Sequence, residues 1–310
     1  MLNALTIDVE DYYNQLAIDF CDRVEPPRPE SQRDTHRMLD LLAEAQVRAT
    51  CFILGEMAEH FPSLVRRIAD EGHQLGVHGY YHHQIWRHGP AEFRAVTRRA
   101  IEAIEEAAGR PVTAHRAVAF SLTPHTLWAL PILADLGIEY DSSIFPFRGR
   151  RYGIADAPRG PHRIDLGGRS LWEFPLSTVD ALGRRWPVCG GGYLRHFPLA
   201  YTRWGIRRLN AEGIPANIYL HPYEIEVGPR IAAIPGLNTW RQRLKFRFFN
   251  YHQLRRRKAT TPKLRALLSE YAFGPIDRVL AAWVARQGEA ATAAVEWAAP
   301  GGAQGEPTRP

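Results

Sequence analysis

Cysteine is almost absent from this chain. Three occur in 310 residues, at Cys21, Cys51 and Cys189, far apart and with no Cys-x-x-Cys pair. So sparse and odd a set supports neither a disulfide framework nor a thiolate zinc site. Long apolar runs are lacking as well. The longest stretch free of Asp, Glu, Lys and Arg runs from Ala117 to Ala134, and Ser121, Thr123, Pro124, His125 and Pro131 interrupt it. It reads as loop followed by buried helix, not as a membrane span. The opening residues Met1 to Ile7 hold no basic side chain and lead to an acid at Asp8, unlike a secretion signal. The expected location is therefore cytoplasmic.

Charge of one sign is scarce over most of the chain. The net charge is +6, yet residues 241–258, from Arg241 to Lys258, carry +8 and no acid, which leaves −2 for the rest. That distribution excludes a uniformly basic nucleic-acid binder and leaves a local basic stripe. Apolar residues make up 45% and charged residues 23%, a composition that buries a sizeable core.

Short β-type runs alternate with amphipathic helical runs. Residues 4–7, 49–54, 75–78 and 113–116 read as strands. Between them, helices are predicted over 34–45, from Pro62 to a stop at Gly72, over 90–108 with Gly109 as the stop, and over 124–136. This order implies parallel strands joined by crossover helices, closed into a barrel or wound as an open sheet. Further on, residues 162–175 read as a hairpin turning at Gly167-Gly168, 198–211 as a helix, 216–220 as a last strand and 261–284 as helical, packed outside. From Gly288 onward the Ala-, Gly- and Pro-rich sequence reads as disordered.

Polar clusters fall at the C-terminal ends of the predicted strands: Asp8, Glu10 and Asp11; His78 and His82; His115 and Arg116; Asp141; and His221. Active sites of barrels and open α/β sheets assemble at that edge. His78 and His82 are four apart, which sets two imidazoles on one face of a turn. With a carboxylate they form a metal site that keeps open positions, suited to zinc or another divalent ion. A histidine-rich surface loop is the plain alternative, and His83 is read as such a loop residue. Asp8 and Glu10 point to the same side of a strand, so one can ligate while the other takes a proton. Gly190-Gly191-Gly192 lacks the context of a phosphate loop and reads either as close passage of backbone beside a sugar or as an ordinary turn.

These motifs, taken in order, resemble those of the polysaccharide deacetylases, the NodB-homology group of the carbohydrate esterases (family 4-like), over about residues 1–225. The matching segments run Thr6 to Asp11, Leu75 to His82, His115 to Ser121, Tyr140 to Pro146 and Tyr219 to Pro222. Flanking text looks like the branch found beside exosortase and exopolysaccharide gene clusters. The resemblance implies an α/β fold, a distorted (β/α)7 barrel over 1–225, with a C-terminal helical extension over 226–286 packed on it and a disordered tail over 287–310. It implies metal-dependent N-deacetylation of N-acetylated hexosamines in a polysaccharide or its lipid-linked precursor, using Zn2+, with Co2+ or Ni2+ as alternatives.

In that scheme Asp8 is the base, Arg116 orients it, His221 protonates the leaving amine and Asp141 supports His221. The backbone of Ala119 completes an oxyanion site, and Trp86 and Tyr219 face the sugar. Two departures stand out. Adjacent acids of the family are Asp-Val-Glu-Asp here, so both Glu10 and Asp11 are candidate ligands, Glu10 being favoured by strand geometry. Val118 stands where that branch has proline. Hydrolysis of small cyclic amides, as in allantoinase- or imidase-like relatives, and a sugar-binding barrel without turnover are the competing functions. The basic stripe predicts peripheral contact with an anionic membrane at the inner leaflet, with Arg255, Arg256 and Arg257 as its probes; no nucleic acid is expected, and the sequence leaves the oligomeric state open.

Overall fold

In the computed structural model, the residues described are 1–147, 149, 152–188, 190–225, 231, 233–288 and 294–296. Strand β1 (Leu2–Val9) is followed by α1 (Tyr12–Cys21) and α2 (Pro29–Glu44). Next come β2 (Thr50–Ile53), α3 (Gly55–His60), α4 (Pro62–Asp70), β3 (Gln74–Val77) and α5 (Pro90–Ala108). The two-residue strands β4 (Ala114–His115) and β5 (Tyr140–Asp141) flank α6 (Ala129–Asp135). Two hairpins follow, β6 (His162–Asp165) with β7 (Ser170–Glu173), and β8 (Thr178–Ala181) with β9 (Arg184–Pro187). Helices α7 (Gly191–His196) and α8 (Leu199–Ala211) lead to β10 (Asn217–Leu220). Beyond it lie α9 (Trp240–Leu254), α10 (Thr260–Glu270), β11 (Ala272–Gly274), α11 (Ile276–Gln287) and β12 (Ala294–Glu296).

The main sheet runs β10-β1-β2-β3-β4-β5-β7-β6-β12, with β11 paired to the start of β1. From β10 through β5 every pairing is parallel, as crossover helices require. The seven β1 residues after the partly exposed Leu2 are all buried down to Val9, which fits a central strand covered on both faces. Helices α3, α4 and α5 supply one cover, through Met57, Leu64, Val65, Ile68, Ile101 and Ile104. Pro62 and Pro90 open their helices, and Gly109 closes α5 in a left-handed conformation (φ 67°), a position that costs a glycine little.

The α/β class and the parallel order are as expected, but the hydrogen-bond ladder is a path and not a ring among the described residues. The gap between the end of β7 and β10 is bridged by side chains. Asn217 Nδ2 donates to Phe174 O, Pro175 O and Ser142 Oγ, and the Asn217 amide donates to Ser177 Oγ at 2.7 Å. Pro175 has no N–H to give a ladder, which accounts for this substitution.

Other differences are local. The helix expected over 261–284 is interrupted by β11 and Pro275, giving α10 and α11. The β8–β9 hairpin and α1 had no sequence expectation. Of the tail expected to be disordered, residues 294–296 pair with β6 and most of the others lie outside the described residues, as does Cys189.

Candidate metal centre and active site

Parallel strands put their C-terminal ends on one edge, and β1, β3, β4 and β10 bring the polar clusters together there. Glu10, His78 and His82 offer ligand atoms all within 4.8 Å of one another, each side chain buried. Glu10 Oε2 lies 3.0 Å from His82 Nε2 and 3.6 Å from His78 Nε2. His78 Nδ1 donates to the Arg116 carbonyl at 2.8 Å, which fixes its tautomer and leaves Nε2 as a free donor of a lone pair.

The donor set suits a divalent ion. Both carboxylate oxygens of Glu10 are buried without a hydrogen-bond partner among the described residues, and so costly an arrangement is ordinarily compensated by a cation. Burial alone would raise the Glu10 carboxyl; the nearby imidazoles of His82, His221 and His78 outweigh it and hold it well below the ordinary carboxylate range. For His82, burial works against the proton, but Glu10 prevails and the ring is pushed up. Two imidazoles and one carboxylate are the set that zinc and its neighbours take in catalytic sites.

Asp11 is not part of this cluster, which corrects its candidacy as a ligand. It is the N-cap of α1: Oδ1 accepts from the amides of Tyr13 (2.7 Å) and Asn14 (3.0 Å), and Oδ2 from the amide of Arg28 (2.6 Å). Neighbouring residues on an extended chain point oppositely, and the cap satisfies donors that the helix start would otherwise leave unpaired.

Asp8, on β1, lies at the same edge. Arg116, fully buried, donates from Nη1 to Asp8 Oδ1 at 2.7 Å and to Thr6 Oγ1 at 2.9 Å, and from Nε to Ser142 O at 3.0 Å. The guanidinium is thus fixed on three sides, and Asp8 Oδ2 is left toward His221 Nε2, 3.8 Å away. His221 Nε2 is also 3.6 Å from Glu10 Oε1. Burial lowers the proton affinity of His221, with Glu10 and Asp8 opposing.

The expected support of His221 by Asp141 is not what the structure holds. Asp141 pairs with His115 Nδ1 at 2.6 Å and accepts from Ser143 Oγ at 2.8 Å, because the β4–β5 register sets His115 opposite Asp141. His221 sits across the sheet, directly after the end of β10. Its partner is Glu224, whose Oε2 lies 3.1 Å from His221 Nδ1 and accepts the His221 amide at 2.8 Å. The other Glu224 oxygen pairs with Arg195, and both side chains are 1% exposed. Glu224 and Arg195 were not foreseen. The only trace in the sequence is the His-x-x-Glu spacing after β10.

Two of the three glycines at the start of α7 have a local reason. A side chain on Gly191 would occupy the place of the Glu224 carboxylate, and one on Gly190 (φ 142°) the place of the Tyr219 ring. Tyr219 stands edge-on to His221 at 5.9 Å and to Phe120 at 5.0 Å. With Phe145 and Tyr152 these rings form one aromatic cluster beside His221. Ala119 is exposed with left-handed backbone angles (φ 51°, ψ 29°) in the turn after Arg116, a conformation unfavourable for a residue with a Cβ and often found at functional sites. Val118 packs in the core beneath it. Trp86 is half-buried on the one-turn helix Ile85–Arg87, beyond His82. His83 packs between Tyr81 and His88, away from the cluster.

Comparison with known proteins bears on the same edge. Residues 19–140 match the family model described as polysaccharide deacetylase, and residues 142–281 match a domain of unknown function, DUF3473. A peptidoglycan-N-acetylglucosamine deacetylase of Bacillus cereus is 41% identical over 75 residues, 24% of this chain and 27% of that protein. A chitooligosaccharide deacetylase of Bradyrhizobium sp. is 31% identical over 100 residues, 32% of this chain and 43% of that protein. The chain thus spans between a quarter and a half of the length of these curated relatives. Among solved structures, a Mycobacterium smegmatis protein described under the polysaccharide deacetylases superposes with a TM-score of 0.65 at 20% identity, covering 96% of this chain and 93% of that one. Puue allantoinase gives 0.55 at 15%, covering 91% and 89%. These two show a shared fold.

Proposed function

We propose that this chain, which carries a polysaccharide deacetylase domain over residues 19–140, is a metal-dependent N-deacetylase of N-acetylated hexosamines in a polysaccharide or its lipid-linked precursor. The observation that carries the proposal is the convergence of buried Glu10, His78, His82 and Asp8–Arg116 with the partly exposed His221 in one cluster. Hydrolysis of an amide needs a polarised carbonyl, an activated water and a proton for a poor leaving group, and each has a matching group here.

Glu10, His78 and His82 would hold the metal, zinc in our reading. When bound, it would supply Lewis-acid polarisation of the acetyl carbonyl and ease deprotonation of the attacking water. Asp8 takes that proton on Oδ2, the oxygen that Arg116 leaves open. Arg116 fixes the carboxylate by a charge-assisted bond. The Ala119 backbone faces the developing oxyanion. His221 delivers a proton from Nε2 to the departing amine; burial weakens its hold on that proton, and Glu224 on Nδ1 keeps the ring aimed and balances its charge. Tyr219, with Trp86 at the rim, offers ring faces to the sugar.

The division of labour crosses the two matched segments. His78, His82 and Arg116 lie in the first, whereas Arg195, His221 and Glu224 lie within the domain of unknown function. On this reading that domain completes the active site. A full ligand set and an Asp8–His221 pair favour turnover of a glycan amide over a sugar-binding barrel without activity or the hydrolysis of small cyclic amides. No described helix is long and apolar enough to cross a membrane. The proposed setting is cytoplasmic, with substrate met at the inner leaflet. Acetate release from N-acetylglucosamine oligomers, followed with and without added zinc or cobalt, tests the proposal; a protein active on hydantoin-like cyclic amides and inert on these oligomers would overturn it.

A further inference from the structure

Helix α9 holds four of the eight cations of the basic stripe, and it is apolar on two separate sides. At about 100° per residue, Phe246, Asn250 and Leu254 share one side, and all three are buried. Phe246 and Leu254 pack into a cluster with Tyr12, Leu16 and Tyr223, and Asn250 accepts from the Tyr12 hydroxyl at 3.1 Å. Trp240, Leu244 and Phe248 fall on the outer side, within an arc of about 80°. They are 69%, 60% and 72% exposed. Arg241 and Lys245 lie on one flank of this arc and Arg243 and Arg247 on the other, all exposed.

We infer that α9 is a membrane-docking helix whose Trp240–Leu244–Phe248 stripe enters the interface of a bilayer while its flanking cations engage anionic headgroups. A helix with aromatic and leucine side chains outermost and Lys and Arg on both shoulders has the chemistry of an interfacial helix. Long cationic side chains can reach up to headgroups while their stems lie along apolar surface. Charge complementarity selects the occupant. A second copy of this chain would bring two such basic faces together, where like charges repel, and a nucleic acid would leave the three apolar side chains unused.

The structure alters which cations matter. Arg257 is buried and donates to Tyr223 O at 3.1 Å, and Arg256 donates to His196 O at 2.9 Å. Those expected probes are tied into the fold; Arg241, Lys245 and Arg247 face outward. Location gives the helix its meaning. Its inner face rests on Tyr12 and Tyr223, two residues beyond Glu10 and His221, and the Tyr223 ring stacks on His221 at 5.0 Å. A bilayer beneath α9 would therefore lie beside the catalytic edge. Resting on the deacetylase reading, this implies a lipid-linked glycan as the natural substrate class.

The test is co-sedimentation of the full chain with phosphatidylcholine vesicles, with and without phosphatidylglycerol. Wild type should bind the anionic vesicles at low salt and release at high salt. Trp240→Ser/Leu244→Ser/Phe248→Ser should bind at least about tenfold more weakly, as should Arg241→Glu/Lys245→Glu/Arg247→Glu, with thermal midpoints unchanged in both. Unaltered vesicle binding in the apolar triple variant overturns the insertion. So does a dimer, seen by light scattering, that dissociates in that variant, and so does stronger binding to single-stranded DNA than to anionic vesicles. Vesicle binding and acetate release are read separately. Binding without any acetate release would sink the deacetylase reading alone, and release without binding the docking alone.

Discussion

Replacing Glu224 by Gln separates two roles that the structure joins in one carboxylate. Glu224 is buried, holds the buried Arg195 guanidinium and touches His221 Nδ1. Glutamine keeps the size and removes the charge, so Arg195 is left as an uncompensated buried cation. Breaking such a pair costs about 3–5 kcal/mol of folding free energy. Losing the carboxylate behind an active-site imidazole costs roughly 10- to 100-fold in activity. The single variant thus lowers both the denaturation midpoint and the rate of acetate release. Glu224→Gln/Arg195→Met removes the stranded cation and should recover most of the stability, since buried pairs exchange for apolar groups at little cost. It should not recover the rate, because His221 still lacks its carboxylate. A double variant that regains stability and rate together would refute the reasoning, leaving Glu224 as a fold element only.

Asp8→Asn should retain bound divalent metal, measured by elemental analysis, and lose about 10²- to 10⁴-fold in kcat; loss of the metal would instead make Asp8 a ligand. Glu56 is pushed up to about 8 by burial, against a hydrogen bond from Asn14 that pulls it down. Its folded state favours the neutral acid, so it costs nothing below 4.5, and the cost grows as pH rises and levels off above 8. The slope is about 1.4 kcal/mol per pH unit, so in chelator Glu56→Gln should gain on wild type across that window in urea midpoint. A difference that does not vary with pH would contradict the assignment.

Much of the candidate site was legible because strand ends are legible. An apolar run closing on Asp8, a second closing on His78 and a third on His221 place those side chains on one edge without further information. Choosing between Glu10 and Asp11 took coordinates, since it turned on Asp11 capping a helix that the sequence did not announce. Asp141 went to His115 and not to His221 because strand order, which is long-range, decides neighbours across a sheet. Glu224 and Arg195 were hidden for the same reason: 28 residues lie between them in the chain and only the fold makes them a pair. Helix α9 showed no helical period because apolar residues occupy both its sides, one for the core and one for the surface.

The central claim is tested most directly by acetate release from N-acetylglucosamine oligomers, using chelator-stripped wild type and His82→Ala before and after addition of zinc. The account predicts no release from either stripped protein, recovery on zinc addition in wild type, and none in His82→Ala, whose ligand set is broken. Equal release from the stripped and zinc-loaded wild type, or full recovery in His82→Ala, would contradict it.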